Sequence, residues 1–191
     1  MVVRSSWQRI LTVLVLVAAA GYAGYILAPV VAPHRAPPAH VSVVGRKAPV
    51  GLKVGDYPPN FTLEDIHGRT VTLWNLRGHA VWLNFWATWC PWCRTEMPDM
   101  ERIHELYGSK IDIFGIDLQE SQPTVMRWLQ AHHITYDVLL DKTGSVATMY
   151  DVSQLPVSIF IGADGRITHV QPGALLSVHS MEPYVNQAIA H

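Results

Sequence analysis

The chain has 191 residues, of which 49% are hydrophobic and 15% charged, with 14 Lys and Arg residues against 15 Asp and Glu residues. This near-neutral balance argues against nucleic-acid binding, which needs a basic surface, and the apolar fraction is too high for a disordered chain. Two cysteines are too few for a disulfide scaffold or for a zinc or iron–sulfur site of four cysteines. The positive mean hydropathy of +0.15 indicates that part of the chain lies in a membrane.

The N-terminal segment predicts a membrane anchor. Residues 10–32 form a run of 23 residues without a charge, and at about 1.5 Å per residue a helix of that length crosses a hydrocarbon core of about 30 Å. Arg4 and Arg9 precede the run, and by the positive-inside rule they keep the N-terminus in the cytoplasm. The alternative is a cleaved signal peptide, with the alanines at 18–20 as the cleavage site. Both alternatives place the rest of the chain on the extracytoplasmic side of the cell membrane, as a single-pass protein if the anchor is retained.

Composition divides the chain into three parts. Residues 1–32 are the N-terminal cytoplasmic tip and the transmembrane anchor. Residues 33–51 are a proline-rich linker, because prolines cannot donate the backbone hydrogen bonds that a sheet needs. Residues 52–191 form the globular domain, which is long enough for one hydrophobic core.

Predicted strands and helices alternate along the globular domain. β-Prone runs at 61–64 and 70–73 enclose a hairpin turn, and the continuous apolar run at 80–86 is typical of a strand buried on both faces. A helix is predicted at 91–107, where Gly108 ends it and the apolar face consists of Met97, Met100, Ile103 and Leu106. Further strands are predicted at 111–118, 136–140, 157–161 and 166–171, and further helices at 122–132 and 177–190. This order predicts an α/β domain with a central mixed sheet, flanking helices and an N-terminal β-hairpin.

Both cysteines lie in the motif Cys90-Pro91-Trp92-Cys93, where the buried strand ends and the next helix begins. Cys90 is the predicted N-cap residue and Pro91 the first helical residue. A thiolate at Cys90 faces unpaired backbone N–H groups and the positive end of the helix dipole, which lower the pKa of its thiol. Because the thiolate is the attacking species in thiol–disulfide exchange, Cys90 is the predicted nucleophile and Cys93, one helical turn on, the resolving thiol.

Other uses of the two cysteines have less support. A structural disulfide that closes so short a loop removes only roughly 2 kcal/mol of chain entropy. A zinc site needs two further ligands, and the ten histidines are scattered, so no metal is expected. Covalent haem attachment needs a histidine directly after the second cysteine, and residue 94 is Arg.

The wider motif identifies a family resemblance. Residues 83–98 read LNFWATWCPWCRTEMP and closely resemble the membrane-anchored, extracytoplasmic thioredoxin-like proteins of the TlpA/ResA type. The resemblance covers residues 52–185 and implies a thioredoxin-like fold with an N-terminal hairpin. It also implies a thiol–disulfide oxidoreductase without a cofactor that reduces oxidised protein thiols, with apocytochrome c as one expected substrate. The electrons then come from a membrane electron donor, because the compartment otherwise keeps thiols oxidised.

The resemblance assigns roles to residues outside the motif. Glu96 matches a buried acidic residue of the family, and a partly desolvated carboxylate there accepts a proton from Cys93. Asn84 stands where cytoplasmic thioredoxins have their buried acid, which makes Glu96 the better base. Pro156 matches the family's cis-proline, whose missing N–H, with the exposed carbonyl of Leu155, helps to dock an extended partner by strand addition. A solvent-exposed Glu96 and a simple strand-start Pro156 are the alternatives.

Tryptophans near the motif divide between the core and the docking surface. Trp86 is predicted in the core, whereas Trp89 and Trp92 are predicted to contact the substrate. Two positions depart from the family pattern, because Pro91 precedes Trp92 where many members have proline second, and Val157 follows the cis-proline where many have Thr. The first departure leaves the reduction potential open, and the second leaves the docking partner open.

Two rival functions stay open. A peroxiredoxin-like thiol peroxidase has its reactive cysteine in a T-x-x-C setting with an Arg partner, whereas Pro91, Trp92 and a resolving Cys93 follow Cys90 here. A non-catalytic tethered binding module would use the groove beside Pro156 with an inert disulfide. Peroxide consumption by the reduced protein would indicate the peroxidase, and partner binding unchanged by Cys90→Ser would indicate the module.

Overall fold

A computed structural model describes residues 49–191 of the protein. The predicted anchor at 1–32 and the predicted linker up to residue 48 lie outside the described residues. Within residues 49–191, no helix has both the length and the apolar character needed to cross a membrane. The division of the chain after residues 32 and 51 therefore stays a prediction.

A seven-stranded mixed sheet lies at the centre of the described domain, in the order β2-β1-β5-β4-β3-β6-β7. β3 pairs in parallel with β4 and β4 with β5, while β1, β2, β6 and β7 pair antiparallel to their neighbours. The strands are β1 (Thr62–Asp65), β2 (Thr70–Thr72), β3 (Ala80–Trp86), β4 (Ile111–Leu118), β5 (Asp137–Asp141), β6 (Val157–Ile161) and β7 (Ile167–Pro172). This topology confirms the mixed sheet, and the predicted N-terminal hairpin is β1-β2, which extends the sheet beyond β5.

Helices cover the sheet on both faces. Among the described residues the α-helices are α1 (Pro91–Tyr107), α2 (Gln122–Ala131), α3 (Ser145–Met149) and α4 (Val178–Ile189), with 3-10 turns at Leu73–Leu76 and Gly108–Lys110. The sequence predicts α1, α2 and α4 but not α3 or the two turns. These missed elements have five residues or fewer, too short to show a helical repeat of 3.6 residues.

β3 is buried on both faces, as its unbroken apolar sequence predicts. Its side chains alternate, so that Trp82 and Trp86 join a core cluster with residues of α1, α2 and α4. Leu83 and Phe85 join the opposite cluster, which contains residues of α3. All seven residues of the strand are buried. The loop that leads to Cys90 therefore begins inside the protein.

α1 packs on the sheet through the face that its sequence predicts, with one exception. Met97, Met100 and Ile103 are fully buried. Leu106, which the spacing places on the same face, is exposed, and this prediction is wrong. Tyr107 packs against the core in its place, because a residue four positions after Ile103 lies closer to the same helical face than a residue three positions after it does.

Candidate active site

The two cysteines lie at the N-terminus of α1, directly after the loop that follows β3. Cys90 is the N-cap residue and Pro91 the first residue of the helix. Cys90 and Cys93 form a disulfide with their Cα atoms 5.3 Å apart, and the backbone N–H of Cys93 donates to Cys90 Sγ at 3.2 Å. The same N–H and the helix dipole stabilise a Cys90 thiolate once the disulfide is reduced.

Burial differs sharply between the cysteines and the tryptophans beside them. Cys93 is fully buried and Cys90 is only 3% exposed, whereas Trp89 is 64% and Trp92 is 60% exposed. Contiguous apolar patches on a folded surface often mark a binding site, and the two exposed rings flank Cys90 in the sequence. The docking role predicted for Trp89 and Trp92 stays a prediction.

Glu96 lies on α1 one turn after Cys93, with its side chain in the protein interior. It is only 1% exposed, and neither carboxyl oxygen has a hydrogen-bond partner within bonding geometry. Burial raises its pKa to about 8, and the backbone N–H of Leu175 and the side-chain amide of Asn84, which lie near it without forming regular hydrogen bonds, oppose this rise only in part. The solvent-exposed alternative for Glu96 is therefore wrong, and a carboxyl group that ionises near neutral pH lies beside Cys93.

Asn84 is held in the core by a polar contact with β6. It lies opposite Ser158 in the β3-β6 ladder, and its Nδ2 donates to Ser158 Oγ at 3.0 Å. Trp82 Nε1 donates to the same oxygen at 2.9 Å. A neutral amide in this position has no ionisable proton, which supports Glu96 rather than Asn84 as the acid–base group.

The loop before β6 lies at the same core cluster as the cysteines. The Leu155-Pro156 peptide bond is cis, and the Pro156 carbonyl accepts a hydrogen bond from Gly173 N–H at 2.9 Å. Leu155 is half-buried and packs against the cluster that contains Cys90 and Cys93. Leu155 thus borders the core cluster that contains the predicted redox pair, and the docking role of Leu155 and Pro156 stays a prediction.

Sequence reasoning missed a pair of carboxyl groups behind the cysteine loop. Glu120 accepts hydrogen bonds from Thr88, two residues before Cys90. Asp117, near the end of β4, is fully buried, and burial together with the neighbouring Glu120 raises its pKa to about 8. The parallel pairing of β3 with β4 is the signal that could have found them, because parallel strands end at the same edge of a sheet.

Comparisons with known proteins identify the family of the chain. The sequence profile of the AhpC/TSA family matches residues 54–170. The thiol-disulfide oxidoreductase ResA of Halalkalibacterium halodurans is 34% identical over 124 residues, which are 64% of this chain and 70% of the relative. The ResA of Oceanobacillus iheyensis is 35% identical over 139 residues, 70% of this chain and 72% of the relative.

A solved structure shares the fold. A crystal structure from Chlorobium tepidum, described as a thiol:disulfide interchange protein DsbE, superimposes with a TM-score of 0.67 at 26% identity and covers 73% of this chain and 99% of that one. The match confirms the thioredoxin-like fold. Both ResA relatives are described as thiol-disulfide oxidoreductases. The chain therefore belongs to the AhpC/TSA family and, within it, to the thiol–disulfide oxidoreductases of the ResA type.

Proposed function

We propose that this protein is a membrane-anchored reductase that transfers two electrons from the Cys90 and Cys93 dithiol to oxidised cysteines of extracytoplasmic proteins. The observation that carries the proposal is the geometry of one helix terminus. Cys90 receives an N–H hydrogen bond at the N-terminus of α1, and Glu96 is buried one turn beyond Cys93. This arrangement supplies a nucleophile, a resolving thiol and a proton acceptor in one place.

The first step is the attack of the Cys90 thiolate on a disulfide of the substrate. The substrate S–S bond breaks, a mixed disulfide with Cys90 forms, and the leaving sulfur takes up a proton. The N–H of Cys93 and the positive end of α1 favour the thiolate of Cys90 before the attack. Cys90 is therefore the catalytic nucleophile in this proposal.

The second step releases the reduced substrate. The Cys93 thiol gives its proton to the Glu96 carboxylate, the Cys93 thiolate attacks Cys90 Sγ, and the second substrate sulfur leaves as a thiolate. The product is the Cys90–Cys93 disulfide that the structure contains. Since the pKa of Glu96 is about 8, about a tenth of it is ionised at pH 7, and its proton affinity is close to that of a thiol.

Substrate docking is assigned to the rim of the disulfide. The exposed rings of Trp89 and Trp92 supply apolar contact area with few rotatable bonds. Leu155 and Pro156, directly before β6, supply the second side, where an extended segment of the substrate pairs with the backbone. Contacts of this kind accept many sequences, as expected of an enzyme that recognises cysteines in a mostly unfolded chain.

The location and the electron donor are part of the same proposal. The uncharged run at 10–32 behind Arg4 and Arg9 supports a single-pass anchor with a cytoplasmic N-terminus and an extracytoplasmic catalytic domain. An oxidising compartment cannot regenerate the dithiol, so a membrane electron donor has to supply two electrons per cycle. Apocytochrome c is the proposed substrate, because its haem-attachment motif has two cysteines that must be reduced.

Two experiments test the proposal. A reduction potential near that of thioredoxin, roughly −270 mV, supports a reductase, whereas a value near −120 mV makes the protein a disulfide donor. Cys93→Ser should accumulate a covalent mixed disulfide with a protein substrate through Cys90, and the matched variant Cys90→Ser should accumulate none. A pair that cannot be cycled between dithiol and disulfide contradicts the proposal, and peroxide consumption by the reduced protein favours the peroxidase.

A further inference from the structure

A carboxylate from the end of β4 holds the loop that carries the nucleophile. Glu120 Oε2 accepts a hydrogen bond from the backbone N–H of Thr88 at 2.6 Å, and Glu120 Oε1 accepts one from the Thr88 hydroxyl at 2.6 Å. Both carboxyl oxygens of Glu120 thus bind Thr88, which is half-buried. Because one bond engages the backbone and the other the side chain, this contact restrains both parts of Thr88.

Glu120 is itself held in position by its surroundings. Its backbone N–H donates to Asp117 Oδ2 at 3.1 Å, and the N–H of Gln119 donates to the Asp141 carbonyl at 3.1 Å. Gln119 has a φ of 61°, in the left-handed region that non-glycine residues adopt at an energetic cost. A strained turn that directs one carboxylate at one loop is retained only where the surrounding contacts demand it.

Thr88 transmits this restraint to the nucleophile. It lies within a turn that the Cys90 N–H closes by donating to the Ala87 carbonyl at 3.1 Å. Cys90 Sγ is in turn aligned with the N–H of Cys93 at 3.2 Å. A displacement of Thr88 therefore moves Cys90 Sγ away from the donor that stabilises its thiolate.

We propose that Glu120 is a positioning residue for Cys90, which holds the Thr88 turn so that the Cys90 sulfur stays aligned with the N-terminus of α1. This inference rests on the proposed role of Cys90 as nucleophile. A positioning role and a direct charge effect of Glu120 predict opposite changes in the reactivity of Cys90 when Glu120 is replaced. Loss of positioning disfavours the thiolate and slows its reactions, whereas loss of a nearby negative charge favours the thiolate and accelerates them.

The chain contains a chemically matched contact that serves as the control. Glu101 on α1 accepts hydrogen bonds from the backbone N–H of Thr135 at 2.7 Å and from the Thr135 hydroxyl. This contact joins α1 to the segment before β5 and does not involve the cysteine loop. Glu101→Gln therefore removes the same kind of interaction as Glu120→Gln at a different place in the fold.

The experiment measures the reactivity of Cys90 in the reduced full-length chain. In a Cys93→Ser background Cys90 is the one remaining cysteine, because the chain has two, so the pH profile of alkylation by iodoacetamide reports its thiol alone. We expect Glu120→Gln to lower the rate at pH 7 about fivefold. The reason is that a misaligned Cys90 has a higher thiol pKa, so that less of it is thiolate at this pH. Glu101→Gln should leave the profile in place while lowering the melting temperature.

Two outcomes overturn the inference. A Glu120→Gln rate equal to or faster than that of the parent shows no positioning role, and an equal slowing by Glu101→Gln shows general loosening of the fold. If Glu120→Gln does not fold, Thr88→Val tests the same contact. It should slow alkylation about twofold, in proportion to the one hydrogen bond lost, while Thr88→Ser, which keeps both donors, should match the parent. Failure of Cys90 to react in the parent at any pH would instead refute the nucleophile assignment itself.

Discussion

Glu96→Gln should make the oxidised protein more stable at alkaline pH. Burial raises the pKa of Glu96 from 4.5 to about 8, so between these values the folded state binds more protons than the unfolded state does. The free energy of unfolding therefore falls as the pH rises through this window and levels off above it. At about 1.4 kcal/mol per pH unit, the full window corresponds to about 5 kcal/mol as an upper bound. Glutamine cannot ionise, so this part of the pH dependence disappears.

Urea unfolding of the oxidised protein at several pH values between 5 and 9 measures the effect. The parent and Glu96→Gln should have similar stabilities at pH 5 and diverge steadily up to pH 8. Glu105→Gln is the matched control, because this glutamate lies on the same helix with its side chain exposed. Asp117→Asn separates the contribution of the second buried carboxyl group, whose pKa is also about 8.

Equal slopes for the parent and Glu96→Gln would refute the reasoning, because they would mean that Glu96 ionises in the folded state as readily as in the unfolded one. The same variant also separates structure from chemistry. If Glu96 accepts the proton of Cys93, the release step of a single turnover should slow in Glu96→Gln and lose its dependence on a group with a pKa of about 8.

Further substitutions test the exposed tryptophans and the core. Trp89→Ala and Trp92→Ala should each lower kcat/KM for a protein disulfide about tenfold, as for exposed aromatic contacts at interfaces, and leave the rate with a small disulfide almost unchanged; Trp74→Ala, which truncates a ring that is 43% exposed, should affect neither rate. An equal loss with both substrates would argue against docking. Gly115→Ala should destabilise the fold by about 1–3 kcal/mol, because an added Cβ would lie 3.0 Å from Trp86 Nε1; an unchanged melting temperature would show that the ring can move aside.

The elements nearest the site could be predicted from the sequence with the correct ends. The apolar run of β3, the proline that begins α1 and the glycine after it give the observed Ala80–Trp86 and Pro91–Tyr107. Each of these signals is local. Gly108 has a φ of 50°, the left-handed region that glycine adopts readily at a helix end.

Some strand ends differ by one residue from the prediction. The strand predicted at 136–140 lies at Asp137–Asp141, and the strand predicted at 166–171 lies at Ile167–Pro172. Hydrogen bonding to the neighbouring strand decides where such an element stops, and the sequence alone does not show the register. The same holds for the buried state of Asp141, whose Oδ2 accepts a hydrogen bond from Ala147 N–H at 2.8 Å.

The residues of the candidate site also divide into those that the sequence indicates and those that only the folded structure brings together. Cys90 and Cys93 follow from a local motif, and the family resemblance indicates Glu96, whose burial the structure then shows. Glu120 belongs to no local motif and has no match in the resemblance, because its contact with Thr88 joins residues 32 positions apart. That contact exists only once β3 and β4 are paired in register.

The two outer strands of the sheet, β2 and β7, affect product release after thiol–disulfide exchange. β2 has three residues, and β7 pairs with β6 through a register shift and ends in Pro172, which has no N–H to donate. An outer strand with free N–H and C=O groups is a template for any extended polypeptide. In the proposed function the enzyme meets unfolded chains in every cycle, and it then gains from outer strands that are short or interrupted, because product release breaks only the few contacts near the disulfide. The same feature limits co-aggregation with its own substrates.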